Sequence, residues 1–558
     1  MPHSPWRLSS NDSPAKWKYG TCPTDYKASA ITCYRPMENS GLAWRIRLDS
    51  PNPGLENQLT NTANLPLTQE TKRTSLAANL AWRALANWSS QLVSWAALLV
   101  VVRLLSPADF GLVGMSIVLF WCLRFLGDFG IMATVIRHRD LNQETLAQLN
   151  TMGLVFGSGS FLLACLFSWP AAMFFKTPRM APVAIVTCIA LIPLGLRSVP
   201  EGLLNKEMQF KLLSLFDALG VITSAAATVL LAWLGFHYWA LVLGNLLAEI
   251  VRCSMILSAR RQRFAWPRLA TIREPLTFGR RVLMAGFAWS TYNTLDNVTA
   301  GRVLGQTALG LYGMAWTLAN TPLEKIVSLV TTLIPAYLSR VQTDMAALRH
   351  YLRTITEAIS LVTFPATIGL ALVARDAVPL VMGPKWNGMV VPLEILCVYA
   401  ALRSVVALVP KVLTALGNPR FVMWVEISGL ILMPVAFWIG SHWGIGGIAF
   451  GWVFAYPIIA LAHYWKTLKA IKMRVGDYIT ALRPALDGSV AMGLVVGMFR
   501  WTTSLGHSPW LRLIVEVGSG AAVYVATVGL LHRERAMYFL SIAKKARAGK
   551  LQRAWRSA

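Results

Sequence analysis

The chain has 558 residues, 55% hydrophobic and 14% charged, with a mean hydropathy of +0.50; a soluble domain carries roughly 25% charged residues, so most of this chain does not meet water. Its net charge of +26 comes from Arg and Lys that recur in short bursts between apolar runs, which excludes the single basic face of a nucleic-acid binder and fits the cytoplasmic bias of Lys and Arg in membrane proteins. The seven Cys form no C-x-x-C pair, and Cys122, Cys165, Cys188, Cys253 and Cys397 lie singly in apolar runs, so no disulfide framework, metal site or cofactor is expected.

Residues 1–74 are rich in Pro, Ser, Asn and Thr and lack the apolar core of a signal peptide. They bury too little apolar surface to fold alone, and a disordered polar cytoplasmic extension is predicted; a start codon assigned too far upstream explains them equally well. Fourteen apolar segments follow, at about 84–104, 110–132, 149–169, 181–200, 214–235, 238–257, 281–301, 308–334, 355–374, 390–412, 421–440, 444–465, 485–503 and 510–531. A helix needs about 20 apolar residues to cross a bilayer, so the expected fold is an all-α polytopic membrane protein. The predicted parts are a six-helix lobe at 75–257, a basic cytoplasmic linker at 258–280, and a second six-helix lobe at 281–465. Two more spans within 466–531 and a basic cytoplasmic tail at 532–558 complete the chain.

The loops fall into two sets. One carries Arg137, Arg139, Lys206, Lys211, the arginines between 260 and 281, Arg340, Arg349, Arg353, Lys411, Arg420 and the cations from Lys466 to Arg483. The other holds only Arg103, Lys176, Arg179, Arg302, Arg375, Lys385, Arg500 and Arg512. That imbalance predicts that both termini are cytoplasmic and the number of crossings even. The tail, with Lys544, Lys545 and Arg547 among its cations, is expected to touch anionic lipid.

The sequence repeats itself. Residues 103–115 match 302–314 at Arg103/Arg302, Leu105/Leu304, Gly111/Gly310, Leu112/Leu311, Gly114/Gly313 and Met115/Met314. Further on, Leu196-Arg197-Ser198-Val199 matches Leu402-Arg403-Ser404-Val405, and Gly235-Phe236-His237-Tyr238 resembles Gly440-Ser441-His442-Trp443. Each unit holds six crossings, so the second enters from the same side as the first. The result is a parallel repeat about an axis along the membrane normal, an architecture of transporters with a site between the lobes.

These residues resemble the oligosaccharide flippases of polysaccharide biosynthesis. The resemblance rests on Arg103-Leu104-Leu105-Ser106-Pro107-Ala108-Asp109-Phe110-Gly111, on Gly127-Asp128-Phe129-Gly130, and on Leu141-Asn142-Gln143-Glu144. In the second half it rests on Asp296-Asn297, Gly301-Arg302, Leu309-Gly310-Leu311-Tyr312, the 334–340 stretch from Ile334-Pro335 to Arg340, and Leu416-Gly417-Asn418-Pro419. It runs from about 75 to 500 and is closest to the colanic-acid-exporter-like branch, in the superfamily of multidrug and toxin extruders and lipid II flippases. It implies a two-lobed bundle in the bacterial inner membrane with a central cavity. The implied substrate is an undecaprenyl-pyrophosphate-linked oligosaccharide, flipped to the periplasmic leaflet by alternating access; the alternative is a multidrug or lipid II exporter. A polysaccharide polymerase and glycosyltransferases are the implied partners.

Charges kept inside spans are costly, so they are candidate site residues. Arg124 and Asp128 sit four apart on one helix face, as a vestibule cation oriented by Asp128 or as an internal ion pair. Asp296 is a coupling-ion site, a sugar acceptor, or a hydrogen-bond partner of Asn293 or Asn297. Arg197 and Arg403, at matching repeat positions, bracket a diphosphate or snorkel to headgroups. Glu324 and Lys325 neutralise each other or line the cavity. An enzyme is not expected, because the loops lack acid clusters, a P-loop, H-E-x-x-H and a nucleophile elbow.

Overall fold

A computed structural model describes residues 17–18, 31–36, 45–48, 89–138, 141–268, 273, 276–280, 283–284, 294–331, 344–502, 508–538 and 541. The chain divides into two units, Met1–Leu80 and Ala81–Ala558. In the first, β1 (Trp17–Lys18), β2 (Ile31–Pro36) and β3 (Arg45–Leu48) form an antiparallel sheet in the order β1-β2-β3, with Cys33 opposite Ile46 and Tyr34 opposite Arg45. These strands depart from the expected unstructured extension. Ile31, Thr32, Tyr34 and Ile46 favour a pleated backbone, a local preference that an average over 74 polar residues conceals.

The second unit is helical. In its first half the elements are α1 (Ser89–Leu104), α2 (Pro107–Asp128), α3 (Ile131–Arg137), α4 (Gln143–Phe174), α5 (Met180–Cys188), α6 (Leu191–Lys206), α7 (Phe210–Trp233) and α8 (Tyr238–Ala259). The Ser-Pro-x-Asp turn that opens α2 is a capping box. Asp109 N–H donates to Ser106 Oγ at 3.3 Å, Ser106 N–H donates to Asp109 Oδ2 at 2.9 Å, and Pro107 stands where no N–H is needed. Phe129 and Gly130, both at positive φ, end the helix.

The second half holds α9 (Leu295–Thr299), a π turn at Ala300–Leu304, α10 (Gln306–Thr331), α11 (Met345–Ala377) and a π turn at Val378–Met382. A 3-10 turn at Pro384–Met389, α12 (Val390–Val406), α13 (Val409–Ala415), α14 (Pro419–Ser441), α15 (Gly444–Ala470), α16 (Val475–Thr502) and α17 (Pro509–Leu531) follow. Among the described residues, 11 helices are long and apolar enough to cross a membrane, and Ser89–Leu104 is a shorter apolar helix. Gln306–Thr331 covers most of the predicted eighth span. The predicted seventh lies largely outside the described residues, so a total of fourteen remains a proposal.

The terminal pair α16 and α17, outside the repeat, is tied to α11 near both ends. Arg500 pairs with Asp376 at 2.6 Å and with Glu516 at 3.1 Å, and Arg512 also reaches Glu516 at 3.2 Å. Toward the other end Arg535 pairs with Glu357 at 3.4 Å, and Tyr524 Oη donates to the Leu361 carbonyl at 2.8 Å. Glu516 is fully buried, and two guanidinium groups make that charge tolerable.

Candidate functional site

A cavity of about 1070 Å³ is lined mainly by the first half, with Thr317, Leu318 and Thr321 of α10 and Leu370 of α11 bounding it from the second. Gln91 and Ser94 of α1, Asp217 and Ser224 of α7, Asn245, Glu249 and Arg252 of α8, and Thr317 and Thr321 of α10 supply its polar wall. A hydrated lining inside an apolar bundle is what a polar cargo requires.

Its charges belong to one network. Arg252 Nη2 lies 2.9 Å from Glu201 and 2.8 Å from Asp217. Arg197, 4% exposed, pairs with Glu201 at 2.5 Å and Glu249 at 3.2 Å. Helical spacing explains the set. Arg197 and Glu201 stand four apart on α6, and Glu249 and Arg252 three apart on α8, so each helix turns both charges to the same side. The Nε atoms of Arg197 and Arg252 are buried with no acceptor among the described residues.

The sequence candidates fare differently. Arg197 is held inside the network and does not snorkel. No ion pair joins Arg124 to Asp128 among the described residues: Arg124 lies over the Trp121 ring at 4.8 Å, and Asp128 accepts from Ser198 Oγ at 2.8 Å. Arg403 donates to Asn320 at 2.9 Å and stands 3.8 Å from Glu324. Glu324 thus pairs with Arg403, and the side chain of Lys325 lies outside the described residues. Sequence reading missed Arg252 and Glu201. The acid–base pairs at helical spacing were visible, but which helices face each other was not.

Asp296 is fully buried between the halves of its own lobe. Tyr312 Oη donates to it at 2.8 Å, Trp452 Nε1 at 3.2 Å, and the Asn297 backbone N–H at 2.7 Å. The expected Asn297 partner is present; Asn293 lies outside the described residues. Tyr312 and Trp452 were not anticipated, because they come from α10 and α15. Among the described residues no group of three His, Cys, Asp or Glu side chains could hold a metal ion.

One end of the cavity is sealed by contacts that obey the repeat. A Cβ on Gly111 would strike the Gln306 carbonyl, and a Cβ on Gly310 would strike the Pro107 carbonyl. Gly111 and Gly310 are repeat equivalents, and so are Pro107 and Gln306, so each lobe offers the same surface to the other, as a twofold requires. Arg103 donates from Nε to the Val381 carbonyl at 2.7 Å and from Nη2 to the Leu380 carbonyl. Its equivalent Arg302 lies over the ring of Phe174, at the end of α4, at 5.5 Å. Lys385 Nζ donates to the Arg103 and Leu105 carbonyls at 2.9 and 2.5 Å, and Trp386 Nε1 to the Val102 carbonyl at 3.1 Å.

Comparison with known proteins bears on this architecture. The family described as polysaccharide biosynthesis protein matches residues 100–391. The chain is 26% identical over 419 residues to the lipopolysaccharide biosynthesis protein WzxC of Escherichia coli K12, covering 71% of this chain and 83% of that one. It is 23% identical over 485 residues to the succinoglycan biosynthesis transport protein ExoT of Rhizobium meliloti, covering 85% and 97%. Its fold is similar to a solved structure of the lipid II flippase MurJ in an inward closed conformation, with a TM-score of 0.66 at 14% identity, over 81% of this chain and 99% of that one.

Proposed function

The chain belongs to the polysaccharide biosynthesis protein family, and from that membership we propose that it flips an undecaprenyl-pyrophosphate-linked oligosaccharide repeat unit across the bacterial inner membrane. The observation that carries the reading is an arginine-bearing polar cavity inside an apolar bundle, shut at one end by lobe-to-lobe contacts. It is a transporter, not an enzyme, and its relatives carry names of transport and polysaccharide biosynthesis. The charge bias of the loops supports a periplasmic sealed end and cytoplasmic termini. The cavity then loads from the cytoplasmic leaflet.

The diphosphate docks on Arg252, where it competes with Asp217, the more exposed of that guanidinium's two carboxylate partners. Arg197, neutralised by Glu201 and Glu249, braces the network behind it, Arg124 adds positive charge nearby, and the hydroxyls and amides of Ser94, Ser224, Asn245 and Thr317 meet sugar hydroxyls. Translocation is the rocking of one lobe against the other around the cavity, a motion that parts the Gly111–Gly310 contact when the opposite end opens. The enzymes that build and polymerise the repeat unit are the proposed partners, and anionic lipid that of the tail.

A deletion strain should accumulate undecaprenyl-linked oligosaccharide on the inner leaflet and lose surface polysaccharide. Extraction and leaflet-selective lectin labelling read this, and normal export without accumulation would remove the function.

Asp296 is the proposed coupling group. Asp296→Asn keeps an acceptor for Tyr312 and should insert with a small loss of stability, yet flatten the pH dependence of transport. Asp296→Ala leaves the O–H of buried Tyr312 without its acceptor, although Trp452 Nε1 still donates to that oxygen at 3.0 Å, at a cost of roughly 1–3 kcal/mol, and should lower the melting temperature in detergent. An unchanged pH profile in Asp296→Asn leaves the residue a purely structural role.

A further inference from the structure

A second hollow, of about 560 Å³, lies along the seam between α1 and α7. Its wall is Val93, Ala96, Ala97 and Val100 from α1 and Ile222, Ala225, Ala226, Val229, Leu230 and Trp233 from α7. None of these side chains carries a charge or a hydroxyl. Its rim is open to the outside of the bundle: Leu230 is 55% and Trp233 73% exposed.

Ala97 and Ala225 line this hollow and also line the polar cavity. The partition between a charged chamber and a hydrocarbon-facing groove is therefore made of methyl groups, and alanines 96 and 226 flank it. Small residues let two helices approach, and they also let a chain pass where larger side chains would plug the gap. On the chamber side of the same helices stand Gln91, Ser94, Asp217 and Ser224. Each of the two helices thus brings a few polar side chains to a cavity wall that is otherwise apolar and only apolar ones to the outer groove, and the two surfaces meet at the shared alanines.

We propose that the α1–α7 seam holds the polyprenyl chain of the substrate while its pyrophosphate and sugars occupy the cavity. This rests on the reading that the cargo is lipid-linked. An amphiphile held by its head at Arg252 has to place its hydrocarbon in an apolar medium. The seam offers one in continuity with the head's chamber, so the chain leaves sideways without crossing polar wall.

The test uses the full chain in liposomes with a benzophenone-bearing polyprenyl pyrophosphate. On illumination the label should fall on peptides covering 93–100 and 222–233, and unlabelled polyprenyl pyrophosphate should displace it while excess phospholipid does not. In parallel, Ala97→Phe and Ala225→Phe should cut translocation tenfold or more, and Leu162→Phe, at a 66% exposed position on α4, should leave it unchanged. Labelling spread over the whole lipid-facing surface, or equal labelling by a benzophenone phospholipid, would overturn the seam, as would full transport by both phenylalanine variants. If the deletion strain accumulates lipid-linked oligosaccharide while these results fail, only the seam is lost. If it does not accumulate, the function itself falls first.

Discussion

Gly111→Leu should yield a protein that inserts, survives purification and no longer translocates. The Cβ it introduces meets main chain on the opposite lobe, the Gln306 carbonyl and the Gly310 nitrogen, and main chain has no rotamer by which to withdraw. Overpacking typically costs about 1–3 kcal/mol and occasionally more. At the upper figure the sealed state falls on the order of a hundredfold in population, since each 1.4 kcal/mol is a factor of ten. Gly310→Leu should do the same, because the contact is reciprocal. Gly313→Ala is the control: no atom lies within 4 Å of a Cβ there. A membrane-impermeant thiol reagent directed at a Ser106→Cys reporter measures the seal, and an oligosaccharide translocation assay measures the consequence. Full-rate transport by Gly111→Leu would show that the lobes need not meet here.

Arg252→Ala should lower translocation by a hundredfold or more. The complication is that Arg252 also holds Glu201 and Asp217 in place, and removing one partner of a buried pair is itself destabilising. Arg197 still covers Glu201 at 2.5 Å, and Asp217 is half exposed, so the structural loss should be moderate. The double variant Arg252→Ala/Glu201→Gln separates the two roles. It removes one of the three carboxylate charges that Arg197 is otherwise left to balance alone and should recover the melting temperature without recovering transport. Arg252→Lys keeps the charge but loses the planar fork that suits a diphosphate, and should fall between. Recovery of transport along with stability in the double variant would reduce Arg252 to a structural cation.

The architecture was largely written in hydropathy and in the repeat. Apolar runs of about 20 residues have few fates, and a self-match that keeps its order along the chain predicts two lobes of one design. Arg103 and its repeat equivalent Arg302 each reach across to the other half, which the repeat alone did not foretell. What stayed hidden was tertiary. Arg252 resembles any other cation near a helix end until α6 and α8 are seen to share one network. Asp296 was conspicuous as a charge in a span, yet its Tyr312 and Trp452 partners come from helices 16 and 156 residues away. The Arg124–Asp128 pair failed for a simpler reason: helical spacing permits an ion pair, but Ser198 offered Asp128 a nearer partner.

The clasp at the sealed end has a corollary for how such a protein can diverge. The hydrogen-bond acceptors there, on Val102, Arg103, Leu105, Leu380 and Val381, are peptide oxygens. Every residue type carries that atom, so the accepting loops can drift in composition while the bolt still slides home. The donors Arg103, Lys385 and Trp386 must be kept, as must Gly111 and Gly310, which let the lobes meet. The closure is thus blind to most of its own sequence, which leaves the rims of the two bundles free to be retuned for cargoes of different size.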